Sequence, residues 1–245
     1  MYISATGANA QSERLQVLTN NLANVGTPGF KRDLAILEAR HAEAIERGAP
    51  SETNSLNNVG GGVRMVETMI DFSIGAIQTT GNKEDMAILG EGFFQVLDNS
   101  GNQLLTRAGN FHISPAGELV TEQGHKVLTD TGEPLTINSS QEWRVESDGS
   151  ILQGGEKKLL ALMKPRSLGD LVKLGQNLFR SLADVVPVPT NERRVAGNTL
   201  ELSTVNSIRE MMELIETTRA YEANIKMIQN HDSMMGGLVG RLLRS

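Results

Sequence analysis

Apolar residues recur in steps of three and four at both ends of this 245-residue chain, while the stretch between follows another period. At the front, Ala8, Gln11, Leu15, Leu18, Leu22 and Val25 fall on one stripe of a helix. Gly26-Thr27-Pro28-Gly29 ends it, because a proline bars the residue before it from helical dihedrals and glycine turns the chain. At the back, Met211, Leu214, Thr218, Tyr221, Ile225, Ile228, Asp232, Met235, Val239 and Leu242 keep the same alternation, with Thr218 and Asp232 as the lapses. Spacing sustained in this way predicts a coiled-coil seam. Ser203 or Asn206 is placed to cap the start of this helix, and Glu210 and Glu213 suit its positive end.

The middle reads differently. Met86-Ala87-Ile88-Leu89 and Phe93-Phe94-Gln95-Val96-Leu97 are short β-prone runs, and turn signals such as Asn99-Ser100-Gly101-Asn102, Ser114-Pro115-Ala116-Gly117 and Asp130-Thr131-Gly132 separate the runs that follow. That rhythm predicts an antiparallel β domain. Gly48 to Gly62, rich in Gly, Ser and Asn, reads as a linker. The expected class is α+β, with terminal helices paired as a coiled-coil-like core around a central, mainly antiparallel β domain. The expected segments are an N-terminal helix and following stretch over 1–47, a linker over 48–64, the β domain over 65–195 and a C-terminal helix over 196–245.

Catalytic and metal chemistry finds little purchase. The chain has no cysteine, which removes disulfides and thiolate ligands. His41, His112, His125 and His231 are scattered outside any metal-binding spacing. Gly90-Glu91-Gly92 starts like a nucleotide loop but leads into a strand, so it reads as a tight turn. A net charge of −6 offers no case for nucleic acid, and no apolar run is long enough to insert into a membrane. The first residues lack a basic stretch followed by an apolar one, so no cleaved secretory signal is expected. No cofactor or metal is expected. Two polar features stand out: the asparagines Asn20, Asn21 and Asn24, and Arg219-Ala220-Tyr221-Glu222, where charges flank a seam tyrosine. The asparagines suit either a polar helix end or amide bridges that fix register between packed helices.

Leu15 to Lys31, LQVLTNNLANVGTPGFK, resembles the N-terminal signature of the bacterial flagellar rod and hook proteins. LELSTVNSIREMMELIETTRAYEANIKMI, from Leu200, is similar to the matching C-terminal signature. Phe93-Phe94-Gln95-Val96 and Thr106-Arg107-Ala108-Gly109-Asn110-Phe111 resemble the family's β-domain pattern, with Leu105 where a tyrosine is usual.

The resemblance implies a structural subunit of the flagellar basal-body rod, not an enzyme. Its copies would assemble helically with one another and with other rod and hook subunits, after leaving through the flagellar type III export apparatus. The product would be a hollow shaft that transmits torque and conducts exported subunits. A single β module fits a proximal or a distal rod subunit. The stretch after Phe30, through Gly62-Val63-Arg64, resembles the distal type in layout, the short length and the divergent stretch Lys164–Arg194 suit the proximal type equally well, and the balance leans slightly to the proximal one. A carbohydrate- or peptide-binding β module with dimerising helices is the alternative from another class. Stripes and resemblance together put subunit contacts at Leu15, Leu18, Asn20, Asn21, Leu22, Asn24 and Phe30. The matching set at the back is Val205, Asn206, Met211, Leu214, Arg219, Tyr221, Glu222, Ile225 and Ile228. The polar faces around Asn20, Asn24 and Asn224 are expected to line the bore or bridge subunits.

Overall fold

The structure is a computed structural model that describes residues 2–39 and 62–242. Most of the expected linker therefore lies outside the described residues. The class is α+β, and every strand pairing among the described residues is antiparallel. The chain forms two compact units: Met1–Ala23 with Arg32–Asp71 and Val205–Ser245, and Asn24–Lys31 with Phe72–Thr204. This spatial grouping cuts across the linear segments read from the sequence.

The first unit holds α1 (Tyr2–Ala23), a ribbon of β1 (Asp33–Ala39) and β2 (Val63–Ile70), and α2 (Ser207–Leu242). Asn206 caps α2: its Oδ1 accepts the backbone N–H of Arg209 at 3.1 Å, satisfying one of the donors a helix start leaves open. The helices run antiparallel. Near one end Asn21 meets Glu210 at 3.3 Å, and toward the other a side chain at Gly7 would lie 3.2 Å from Asn224. The ribbon is a hairpin absent from the sequence reading. Its strands are held in register from Asp33↔Ile70 to Ala39↔Val63, with a bulge after Ile36. Two strands alone are marginal in water, and α1 packs against both of them.

The second unit is the β domain. Its strands are β3 (Ile77–Thr79), β4 (Met86–Ile88), β5 (Phe93–Leu97), β6 (Gln103–Thr106), β7 (Phe111–Ile113), β8 (Leu119–Thr121), β9 (Lys126–Val127) and β10 (Trp143–Val145). They continue as β11 (Ser150–Gln153), β12 (Glu156–Leu159), β13 (Leu162–Pro165), β14 (Leu171–Gly175), β15 (Leu178–Ser181), β16 (Val185–Pro187), β17 (Val195–Gly197) and β18 (Thr199–Glu201). A nine-stranded sheet runs β14-β15-β6-β5-β9-β8-β7, with β13 and β16 attached through β5. Its core includes Phe94, Val96, Leu119, Val127, Leu135 and Leu162, all buried. Phe94 and Phe111 meet edge to face at 5.2 Å, a favoured aromatic geometry. Gly90–Gly92 is a turn leading into β5, with Gly92 at φ 119°.

Candidate functional site

Charged residues from three distant stretches meet inside the β domain. Lys31 Nζ donates to a Glu201 carboxylate oxygen and to the Ser73 carbonyl, both at 2.6 Å. Arg107 Nε lies 3.2 Å from the other oxygen of Glu201, and its terminal nitrogens donate to the carbonyls of Gly90 and Gly92. The Gly75 N–H also donates to Glu201, at 2.9 Å. Lys31 and Glu201 are 1% exposed and Arg107 4%, so two cations share one carboxylate away from water. Burial holds the Arg107 guanidinium below its ordinary pKa, and Glu201 opposes that shift. The second oxygen of Glu201 has no directed hydrogen bond, so its tie to Arg107 is ionic. Such a group is costly to disturb, because removing either sign strands the other in a low-dielectric interior.

Two glycines let the segments close on one another. Gly29 has φ 68°, and a side chain there would fall 2.5 Å from the backbone of Arg107 and Ala108. A side chain on Gly109 would sit 1.6 Å from the Met86 carbonyl oxygen. Beside them Phe30 is buried, with Lys173 Nζ 3.9 Å from its ring centroid. The Thr204 N–H donates to the Phe30 carbonyl at 3.0 Å. The chain's GFK, TRAG and LELST stretches are thus parts of one buried joint.

The first unit has its own polar joint. The Asn21 amide donates to the Asp33 carbonyl at 2.8 Å and accepts the Asp33 N–H at 2.9 Å, acting as a surrogate strand partner for the start of β1. The same amide donates to Glu210. Arg32 pairs with Glu210 and, at 3.2 Å, with Glu213, which Arg14 also approaches at 3.5 Å. Asn21 and Glu210 are fully buried. The end of α1, the start of β1 and the start of α2 are therefore tied through side chains.

Helix length decides what remains uncovered. At about 1.5 Å per residue, the 36 residues of α2 extend about 54 Å and the 22 of α1 about 33 Å. With an antiparallel partner this short, α2 overhangs by about 14 residues (36 − 22). The overhang is apolar and exposed: Met234 57%, Met235 59%, Leu238 55% and Val239 51%. The outer face of the first turns of α2 is open as well, with Ile208 and Met212 at 66%.

The expected contact residues divide accordingly. Leu18 is buried, and Leu15, Leu22, Leu214, Tyr221, Ile225 and Ile228 are half-buried. Met211, Arg219 and Glu222 are exposed, and no ion pair joins Arg219 to Glu222 among the described residues. Asn20 is exposed with its amide 3.4 Å from the Asp33 carboxylate, and Asn24 accepts from the Thr27 hydroxyl. Asn206 is the exposed cap. Asn21, Phe30 and Val205 are buried within their own units of the single chain. Asn224, expected near a bore, lies against Gly7. The seam expected over all of α2 is half-covered only as far as Ile228 and His231, since α1 is too short to cover Met235 and Val239. The Lys31–Glu201–Arg107 joint was missed. Its signal was a charge beside glycine or inside a β-prone run, and no periodicity links such positions.

Terminal helices tied to a ribbon, and an antiparallel β domain between them in sequence, make this an α+β chain. The family pattern described as "Flagella basal body rod protein" matches residues 1–31. "Flagellar hook protein FlgE/F/G D1 domain" matches 87–153, and "Flagellar basal body rod FlgEFG protein C-terminal" matches 196–240. Flagellar basal-body rod protein FlgG of Borreliella burgdorferi is 33% identical over 256 residues, covering 96% of each chain. FlgG of Agrobacterium fabrum is 33% identical over 251 residues, covering 95% of each. FlgF of Caulobacter vibrioides is 32% identical over 249 residues, covering 99% of this chain and 97% of the relative. The chain belongs to the family of flagellar basal-body rod proteins. It is a structural subunit of the flagellar basal body and not an enzyme.

Proposed function

We propose that copies of this chain build a helical, hollow section of the rod by covering one another's α2 overhang. The observation that carries this is the exposed row Met234, Met235, Leu238 and Val239, beyond the reach of the chain's own α1. Burying apolar surface yields about 25 cal/mol per Å², and in a lattice several neighbours contribute to each copy at once. A contact in which one surface meets a different surface of the next copy does not close, so it propagates as a filament. Contact with other rod and hook subunits, passage through the export apparatus and a place in the periplasm belong to the same proposal, as do the transmission of torque and the conduction of subunits. The lean to the proximal rod gains nothing from the matches, which are mostly to FlgG relatives and include a FlgF relative. The test is concentration-dependent sedimentation of the full chain with electron microscopy of the product. Elongated tubes above a threshold concentration support the proposal; a finite dimer or a persistent monomer overturns it.

A further inference from the structure

Sulfur chemistry in this chain belongs to methionine alone, because it has no cysteine. Five of its 10 methionines project from α2 into solvent: Met211 at 46%, Met212 at 66%, Met227 at 51%, Met234 at 57% and Met235 at 59%. Met69 on β2 is also exposed, at 51%, whereas Met86 in the β core is fully buried. Exposure decides which thioethers an oxidant reaches. The local helix adds to access at Met234 and Met235: Gly236, Gly237 and Gly240 follow them, and among the described residues nothing beyond the adjoining helix lies within 4 Å of where a side chain on any of these glycines would sit. Interior glycines weaken a helix by about 1 kcal/mol each, so the segment gains firm order only when something packs on it.

We propose that this methionine row is an oxidation-sensitive modification site that controls assembly. A peroxide is the oxidant. The thioether sulfur attacks its terminal oxygen, the O–O bond breaks, an S=O bond forms, and hydrogen peroxide leaves as water. The sulfur is oxidised by two electrons and the peroxide is reduced by two. The sulfoxide turns an apolar, adaptable side chain into a polar one. On a surface that must lose its water to pack on a neighbour, each new S=O is an acceptor without a donor. Unassembled chains are then excluded from the lattice, and chains already packed have their methionines shielded. The inference rests on the assembly reading above.

The experiment treats dissociated full-length chain with dilute hydrogen peroxide, maps sulfoxide by mass spectrometry and measures the threshold concentration for assembly. Sulfoxide is expected on the five α2 methionines and not on Met86, with the threshold raised at least 10-fold. Incubation with methionine sulfoxide reductase is expected to restore it. A variant with Met211, Met212, Met227, Met234 and Met235 each changed to leucine, a near volume-conserving swap, is expected to assemble before and after peroxide alike. Normal assembly of fully sulfoxidised chain overturns the switch, and so does equal loss of assembly in the leucine variant, which retains Met69. Either result leaves the assembly reading standing. If untreated chain never assembles, both fail together.

Discussion

Glu201 is the residue on which most of the β-domain joint depends, because its one carboxylate pairs with both Lys31 and Arg107 in a nearly dry setting. Glu201→Ala takes the shared carboxylate away from two buried cations, and a loss of about 3–5 kcal/mol is expected. Urea denaturation checks this as a lowered midpoint at an unchanged slope. Gly109→Ala drives a methyl group into the Met86 carbonyl, and a cost of at least about 1–3 kcal/mol is expected. A milder effect belongs to Asp148, whose carboxylate accepts from Lys157 at 2.7 Å and from Ser150. Those bonds hold its pKa at about 2, against an ordinary value of 3.8. A depressed carboxylate pKa contributes stability above the unfolded value and loses it as the pH falls through the folded value. Asp148→Asn is therefore expected to be less stable than the parent at pH 5–7, by under about 1 kcal/mol because the partner Lys157 is exposed. The difference should close between pH 4 and pH 2, the window set by those two pKa values. Urea midpoints measured across that range test it, and a gap that widens toward acid contradicts the assignment.

α1 lies along part of α2 and leaves the overhang uncovered, and substitutions at a buried helix position and on the overhang should behave in opposite ways. Leu18 on α1 is 3% exposed, so Leu18→Ala is expected to cost about 2–5 kcal/mol of stability. Val239 is 51% exposed on the overhang, so Val239→Asp is expected to move stability by no more than about 0.5 kcal/mol. It should nevertheless raise the threshold for assembly, read by sedimentation of parent and variant at matched concentrations. An unchanged threshold removes the overhang from the contact. The helices were legible because period, stop and cap are local: Pro28 lies just past the end of α1, and Asn206 directly precedes α2. The turns around Gly101, Gly117 and Gly132 were legible for the same reason, each glycine adopting a positive φ. The ribbon was not, since Asp33–Ala39 and Val63–Ile70 pair across 23 residues of intervening chain (63 − 39 − 1) that carry no turn signal for that register. Nor was the ionic joint, whose members are up to 170 positions apart. Asn21 stands out by composition, but its place at the start of β1 is not legible locally: an amide that completes a strand end looks, in one dimension, the same as one offered to a neighbour.

At the scale of the whole molecule, order should be unevenly shared until copies meet. The β domain encloses a buried aliphatic and aromatic core, so it can resist a protease by itself, whereas among the described residues the α2 overhang leaves Met234, Met235, Leu238 and Val239 exposed. Proteolysis follows local opening, and a three-glycine helix end with no packed face opens readily. Dilute full-length chain is therefore expected to lose fragments from within 229–242 first, while Phe72–Thr204 persists. In assembled material the same bonds should be protected, because neighbours then occupy Met234, Met235, Leu238 and Val239. Timed digestion with mass spectrometry of the fragments, below and above the assembly threshold, distinguishes two situations. Protection that appears only above the threshold means that copies cover the overhang. Equal resistance of the overhang and the β domain in verified monomer would mean that one copy already shelters it, and the force proposed for building the shaft would be absent.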